Sequence, residues 1–337
     1  MGNHNEIILL DHGSGGYLSN QLIRERIVPV LKNPVLERLG DGAVVDIPGT
    51  RLAFTTDSYV VDPIFFPGGS IGELAVNGTV NDLAMCGAKP LYLSCALIME
   101  EGLPLADLDR VLGDMARAAG RAGVEIVTGD TKVVARGSAD KIFITTSGIG
   151  VVIGCPFDVR GIEPGDRIVV SGTLADHGMA VLTRREGMEV SSAIKSDTAP
   201  LNHLVRRMME TGAKIKMMTD PTRGGLATVL GEIALKWNIR IHLDENAIPV
   251  KKEVAAVCDL FGIDPLYVAN EGKLVAVVSE KDADALIQVM KQDELGRDAS
   301  IIGQVLPPGI AKVSMKTRIG GERIVSMPAG EALPRIC

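Results

Sequence analysis

Apolar runs of strand length alternate with segments of helical periodicity on both sides of one Pro- and Gly-rich interruption. The alternation makes each half an α/β or α+β unit, with helices laid on a sheet. The interruption is GCPFDVRGIEPGD, residues 154–166, and it reads as a connector. Before it, the pattern predicts a helix over 18–31 that meets Pro29, and a strand over 51–61 running into a loop at Asp57. A helix over 70–88 follows, opened by Ser70 and closed by Gly87. Next come a strand over 90–99, an amphipathic helix over 105–123, a short buried strand over 124–130 and a long strand over 141–153. After the connector, strands are predicted at 166–172, 215–220, 239–243, 273–279, 299–306 and 311–317. Helices are predicted near 177–187, 200–211, 225–236, 251–260 and 281–292.

Composition narrows the function. Aromatic residues make up only 3%, so the cores must be built from Ala, Val, Ile, Leu and Met. The net charge of −7 disfavours binding to a nucleic-acid backbone, although a single nucleotide can still be held by cations and backbone N–H groups. Five cysteines, an odd number without CxxC spacing, indicate neither a disulfide framework nor a zinc site. Four of them lie among apolar residues, whereas Cys337 closes the sequence in ALPRIC. No stretch is apolar for long enough to span a bilayer, and the N-terminus lacks a signal-peptide pattern, so a cytoplasmic protein is expected.

Four stretches carry chemistry. DHGSGG places Gly13, Ser14, Gly15 and Gly16 in a loop able to wrap phosphate oxygens, or in an ordinary flexible loop. Asp41 stands in GDGA, Asp57 ends a strand in TTDS, Asp82 follows Asn81 in a helix, and Asp130 ends a strand in TGDTK. Carboxylates at strand ends suit Mg²⁺, which keeps waters and bridges to phosphates. For any one of these aspartates a turn or cap role is the simpler reading; four together make that reading harder. TDPTRGG brings Asp220 and Arg223 to a Gly-rich helix start, which is either an anion site or a tight turn. ANEGK holds Glu271 as a turn acceptor or a positioned base, and ADHG holds His177 as a helix-entry residue or a ligand contact.

Taken together, LLDHGSGG, LGDGAVV, FTTDSYVV, NGTVNDLAMCGA, VTGDTKVV, TDPTRGGL, YVANEGKL and PRIC resemble the HypE family of hydrogenase maturation proteins. That family belongs with aminoimidazole ribonucleotide synthetase, selenophosphate synthetase and thiamine monophosphate kinase. The resemblance implies a two-domain PurM-like fold with a mixed N-terminal sheet that pairs in a homodimer. It divides the chain into an ATP-binding and dimerisation domain over 1–153, a linker over 154–165, an α/β domain over 166–320 and a flexible tail over 321–337 carrying an acceptor cysteine. It further implies that Cys337 receives a carbamoyl group from the carbamoyltransferase HypF. ATP then drives dehydration to a thiocyanate, and the HypC–HypD complex takes the cyanide for [NiFe] hydrogenase iron.

By the same resemblance, Asp57, Asp82 and Asp130 hold Mg²⁺ or its waters, and the 13–16 loop and Asp41 place the nucleotide. Asn81, Thr128, Asp220 and Arg223 complete the ATP site, while Lys132 and Glu271 handle the amide protons. The alternatives are a thiamine monophosphate kinase or selenophosphate synthetase type of phosphoryl transfer, or a scaffold whose terminal thiolate carries a metal. The stretch LLDHGSGG lacks the Cys–Lys pair of a selenophosphate synthetase, and the scaffold leaves the acids and glycine loops without a role.

Overall fold

A computed structural model describes residues 17–31, 33–154, 157, 159–188, 194–328, 333 and 335–337. The predicted first helix is present in three pieces: α1 (Tyr17–Leu22), a π-helical turn (Ile23–Ile27) and α2 (Val28–Leu31). The first sheet, among the described residues, has five strands: β1 (Ala43–Ile47), β2 (Thr50–Tyr59), β5 (Ala88–Glu100), β6 (Glu125–Val134) and β7 (Ile142–Val152). Their order is β1-β2-β7-β5-β6, and only the β5–β6 pair is parallel. A two-stranded ribbon, β3 (Phe65–Phe66) with β4 (Gly69–Ser70), leads into α3 (Ile71–Met85). Ser70 caps α3 by accepting a bond from Glu73 N–H, as its position predicts.

Helices α3 and α4 (Leu105–Ala122) cover one face of this sheet. Almost all of α3 is buried, because the second domain closes over its other side. At Gly78 the helix passes so close to β2 that an added Cβ would lie 2.1 Å from the Tyr59 hydroxyl. That approach lets Tyr59 reach back 3.2 Å to Asp57 Oδ2.

The second sheet joins β8 (Arg167–Val170), β9 (Ile215–Thr219), β10 (Arg240–Asp244), β11 (Val275–Val278), β12 (Ser300–Leu306), β13 (Lys312–Lys316) and β14 (Glu322–Ile324). Its order is β14-β13-β10-β12-β8-β11-β9, with β10 and β13 parallel. Helix α7 (Gly225–Trp237) packs on one face, and α6 (Asn202–Glu210) with α9 (Glu280–Met290) on the other. Helices α5 (Asp176–Arg185) and α8 (Lys252–Phe261) join the core of the first domain, so one apolar cluster runs across both halves. Tyr59 and Phe66 are the aromatic side chains among the buried hydrophobics; Ala, Val, Leu, Ile and Met supply nearly all the rest, as composition requires.

Three differences from the sequence reading have physical causes. Strand β6 was expected to be short and buried, yet it spans ten residues at the sheet edge and is exposed along nearly its whole length. Its partner lies on one side only, so its apolar Ile126, Val127 and Val133 meet solvent in a single chain. Strand β14 lies within the segment read as tail and pairs with β13. The last residues are docked, as described below. No described helix is long and apolar enough to cross a membrane.

Gly78→Ala is expected to force Tyr59 off Asp57 and to cost roughly 1–3 kcal/mol through overpacking. A fall in the urea midpoint at constant slope checks this.

Candidate active site

Five carboxyl side chains meet where the two domains face each other. Asp41 precedes β1, Asp57 lies on β2 and Asp82 on α3; Asp220 follows β9, and Glu271 sits in the turn before β11. Thr55, two residues before Asp57 and on the same sheet face, donates to Asp82 Oδ2 at 2.6 Å and also contacts the Asp41 carbonyl at 3.1 Å. Thr219 donates to Asp41 Oδ1 across the domain junction at 3.2 Å. The Asp41 loop is held from behind by Lys236, whose ammonium reaches the carbonyls of Arg38 and Leu39.

The electrostatics are those of like charges confined together. Burial first, then the charge of Asp57, Asp220 and Asp41, pushes the Asp82 carboxyl well above its usual range. Burial, followed by Asp41 and Asp57, does the same to Asp220. Asp57 is also raised by burial, against hydrogen bonds from Tyr59 and Asp82 and the charge of Arg223. Burial raises Asp41 to about 6, with Glu232 and Asp57 adding to the shift and Thr219 and Lys236 opposing it. Glu271 is 3% exposed and pushed well up by burial and by Asp220, Asp197 and Asp57. Its Oε1 is buried without a hydrogen-bond partner.

A strap over 194–201 seats these groups, and the sequence reading passed over it. Asp197 accepts from the backbone N–H groups of Glu271 at 3.2 Å and Gly272 at 3.3 Å, and pairs with Lys273 at 3.1 Å. Asn81 donates to the carbonyls of Ala199 and Glu271 and accepts from Leu201 N–H at 2.8 Å. Asn77 donates to Thr198 at 3.1 Å. Asn77 lies one turn before Asn81 on the same face of α3, and that face grips the strap. Asn81 therefore fixes the site through its protein contacts. A signal for the strap was available in Ser-Asp-Thr-Ala-Pro, a polar run that resists regular structure.

The other predicted residues fall elsewhere. Thr128, Asp130 and Lys132 point from β6 onto the open face of the sheet, opposite the helices, and Asp130 pairs with Lys132 at 2.7 Å. That pairing holds the Asp130 carboxyl below its usual range. Strand β6 lies three strands from β2, about 14 Å at ordinary spacing, so Asp130 shares no ion with Asp57 and Asp82 inside one chain. The predicted metal trio is corrected to that extent. Gly13, Ser14, Gly15 and Gly16 lie outside the described residues.

Among the described residues no three of His, Cys, Asp or Glu form a ready-made metal cage. The group nevertheless fits a divalent cation: several carboxyls repel one another, and Glu271 Oε1 lacks a partner. Mg²⁺ needs only one or two such ligands when phosphates and waters supply the rest.

The end of the chain docks beside the strand that carries Asp57. The Cys337 carbonyl oxygen accepts from Val60 N–H at 3.1 Å, directly after that strand. Arg335 O accepts from Asp62 N–H at 3.2 Å, so the end of the chain runs antiparallel beside residues 60–62. Ile336 is 2% exposed, and the half-buried Cys337 packs on the shared core.

The AIR synthase related protein N-terminal domain family matches residues 39–152, and the corresponding C-terminal domain family matches 163–316. The carbamoyl dehydratase HypE of Cupriavidus necator is 51% identical over 330 residues, covering 97% of this chain and 94% of the relative. The chain belongs to the HypE family. HypE of Escherichia coli is 44% identical over 336 residues, covering 98% of this chain and 99% of that protein. A crystal structure of HypE in complex with ATP superposes with a TM-score of 0.83 at 47% identity, covering 98% of this chain and all of the other. A HypE–HypF complex gives 0.86 at 47% identity, with 91% and 99% covered. A thiamine monophosphate kinase from Aquifex aeolicus, at 18% identity and a TM-score of 0.67, shares the fold. The family and the two-domain PurM-like architecture expected from the sequence are thereby established for the chain.

Because Asp41 has a raised folded value, its ionisation costs folding energy above pH 6 and nothing below the unfolded value of 3.8. Asp41→Asn is therefore expected to raise the melting temperature of nucleotide-free protein by roughly 2–4 °C at pH 8. The gain is expected to vanish near pH 4, and thermal melts across that range read it.

Proposed function

We propose that this chain uses ATP to dehydrate a carbamoyl group on the Cys337 thiol to a thiocyanate, supplying the cyanide ligand of [NiFe] hydrogenase iron. The observation that supports the reading is the docking of Cys337 beside Val60, directly after the strand that carries Asp57. The likeness to HypE proteins, one of them solved with ATP, supports it.

The chemistry balances as R–S–C(=O)NH₂ plus ATP giving R–S–C≡N, ADP and phosphate. The amide oxygen takes the γ-phosphoryl group, the C–O bond then breaks with phosphate leaving, and the nitrogen gives up two protons. A divalent cation bound there would supply positive charge to the phosphate oxygens. Asp57 and Asp82 are the residues placed to hold it, with Asp41 and Asp220 close enough to bind its waters. Arg223, whose charge already acts on Asp57 and Glu271, faces the same anionic ligand.

Glu271 is the residue for a proton at the amide nitrogen. Its high proton affinity comes partly from Asp220, Asp197 and Asp57, so cations that neutralise those charges lower it toward the working range of a base. Lys132, with Thr128 and Asp130, reaches such a site only from a second copy. A homodimer is the assembly that provides one: Phe54, Tyr92 and Ile98 leave an apolar stretch exposed on the open side of the first sheet, beside these residues. HypF, the partner in the solved HypE complex, is the proposed source of the carbamoyl group, and a HypC–HypD iron scaffold the proposed recipient. The proposed compartment is the cytoplasm.

Incubation with HypF, carbamoyl phosphate and ATP should add about 43 mass units to the peptide carrying Cys337, followed by loss of about 18 as water leaves. Cys337→Ala should show neither change and still bind nucleotide. Asp82→Ala should stop at the first adduct, its dehydration falling at least about a hundredfold. A thiocyanate on the Asp82→Ala protein at the wild-type rate would contradict this metal assignment.

A further inference from the structure

One side chain that the reaction does not use grips the end of the chain. His177 is fully buried at the start of α5, with Phe66 set edge-on at 5.3 Å between ring centres. Its Nε2 lies 2.8 Å from the carbonyl oxygen of Ile336, and its Nδ1 lies 2.8 Å from Ser196 Oγ. A carbonyl oxygen only accepts, so Nε2 carries the proton. Burial lowers the ring's affinity for a second proton, so Nδ1 accepts from the Ser196 hydroxyl. That hydroxyl in turn accepts from Thr198 N–H at 3.1 Å, inside the strap. The ring is thereby tied to the segment that also fixes Glu271 and Asn81.

The ring is held to its task by backbone geometry. Ala175 adopts φ 72°, a conformation L residues avoid, and its N–H is clamped by Asn270 Oδ1 at 2.8 Å. Gly178 passes so close to the 268–269 backbone that a Cβ would sit 2.4 Å from Val268 Cγ1. On the other side of the tail, Val60 N–H takes the Cys337 carbonyl, while Arg185 holds Arg335 O at 2.8 Å. Arg335 itself is in the left-handed region at φ 54°, a conformation these bonds sustain. The tail is therefore gripped through three consecutive carbonyls, at 335, 336 and 337, from both domains.

We propose that His177 is a positioning residue for the dehydration step. In its Nε2–H tautomer, which the Ile336 carbonyl requires and the Ser196 hydroxyl supports, it orients the Cys337 adduct at the acid pocket, and it takes no part in loading that adduct. This rests on the function proposed above. The test uses full-length wild-type protein, His177→Ala, His177→Gln and Ser196→Ala. Four measurements are made: alkylation of Cys337 by iodoacetamide, with buried Cys258 as internal reference; carbamoyl loading by HypF; single-turnover conversion to thiocyanate; and thermal melting.

For His177→Ala, alkylation should rise about fivefold, loading should stay within about twofold of wild type, and dehydration should slow roughly tenfold, the loss of one well-aligned hydrogen bond. His177→Gln, whose amide N–H can reach the same carbonyl, should recover part of the rate. Ser196→Ala should move both quantities the same way by less, and it serves if His177→Ala fails to fold. Unchanged alkylation and unchanged dehydration in folded variants would overturn the proposal. So would loading and dehydration falling together with the melting temperature, which marks a general structural role. If alkylation rises in the variants while wild-type protein never forms thiocyanate, the clamp stands and the functional reading fails.

Discussion

The repulsion among Asp41, Asp57, Asp82, Asp220 and Glu271 is the constraint around which the two domains are arranged. Three of these carboxyls come from the first domain and two from the second; burial raises the proton affinity of all five, and the charges of Asp41, Asp57 and Asp220 raise that of their neighbours further. Such a group costs folding energy at neutral pH unless protons or cations occupy it. The packing elsewhere sustains that cost. The continuous apolar cluster across α3, α5 and α8 holds the domains together while the acids push against one another. A binding pocket built in this way gains stability when a cation with its anionic ligand arrives, because binding relieves the repulsion.

Two chain segments brace the surroundings of this pocket. The strap over 194–201 links Asn77 and Asn81 on α3 to the Glu271 turn, fixing the distance between the acids of the two domains. The end of the chain runs along residues 60–62, directly after the strand that carries Asp57. Hydrogen bonds at the backbone carbonyls of residues 335–337 and at the Arg335 side chain hold it there. A phosphoryl transferase acting on a separate small molecule would have no use for that docking.

Much of this was legible in the sequence for local reasons. Strand periodicity ended at Asp57 and Asp220, glycines flanked Asp41, and a polar Asn-Asp pair interrupted an apolar helix at 81–82; each is a local conflict that folding alone does not favour. What escaped notice depends on contacts far apart in sequence. Asp197 and Glu271 are 74 residues apart, and His177 and Ile336 are 159 apart, so no window of periodicity contains either pair. The edge position of β6 was hidden because an apolar strand at a sheet edge reads the same as a buried one. Asp130 misled for a related reason: its strand-end motif resembles that of Asp57, but the two strands put their acids on opposite faces of the sheet. The motif PRIC suggested a carrier role for Cys337, while its docked seat depends on Val60 and His177, which the tail sequence does not encode.

The central claim is that Cys337 sits at the acid pocket while a nucleotide–metal complex occupies it. The direct measurement is the ¹³C relaxation of a labelled carbamoyl carbon on Cys337, with a non-hydrolysable ATP analogue and either Mg²⁺ or paramagnetic Mn²⁺ bound. The account predicts that Mn²⁺ broadens the signal beyond detection in wild-type protein. Equal line widths with the two ions, under saturating nucleotide, would contradict it.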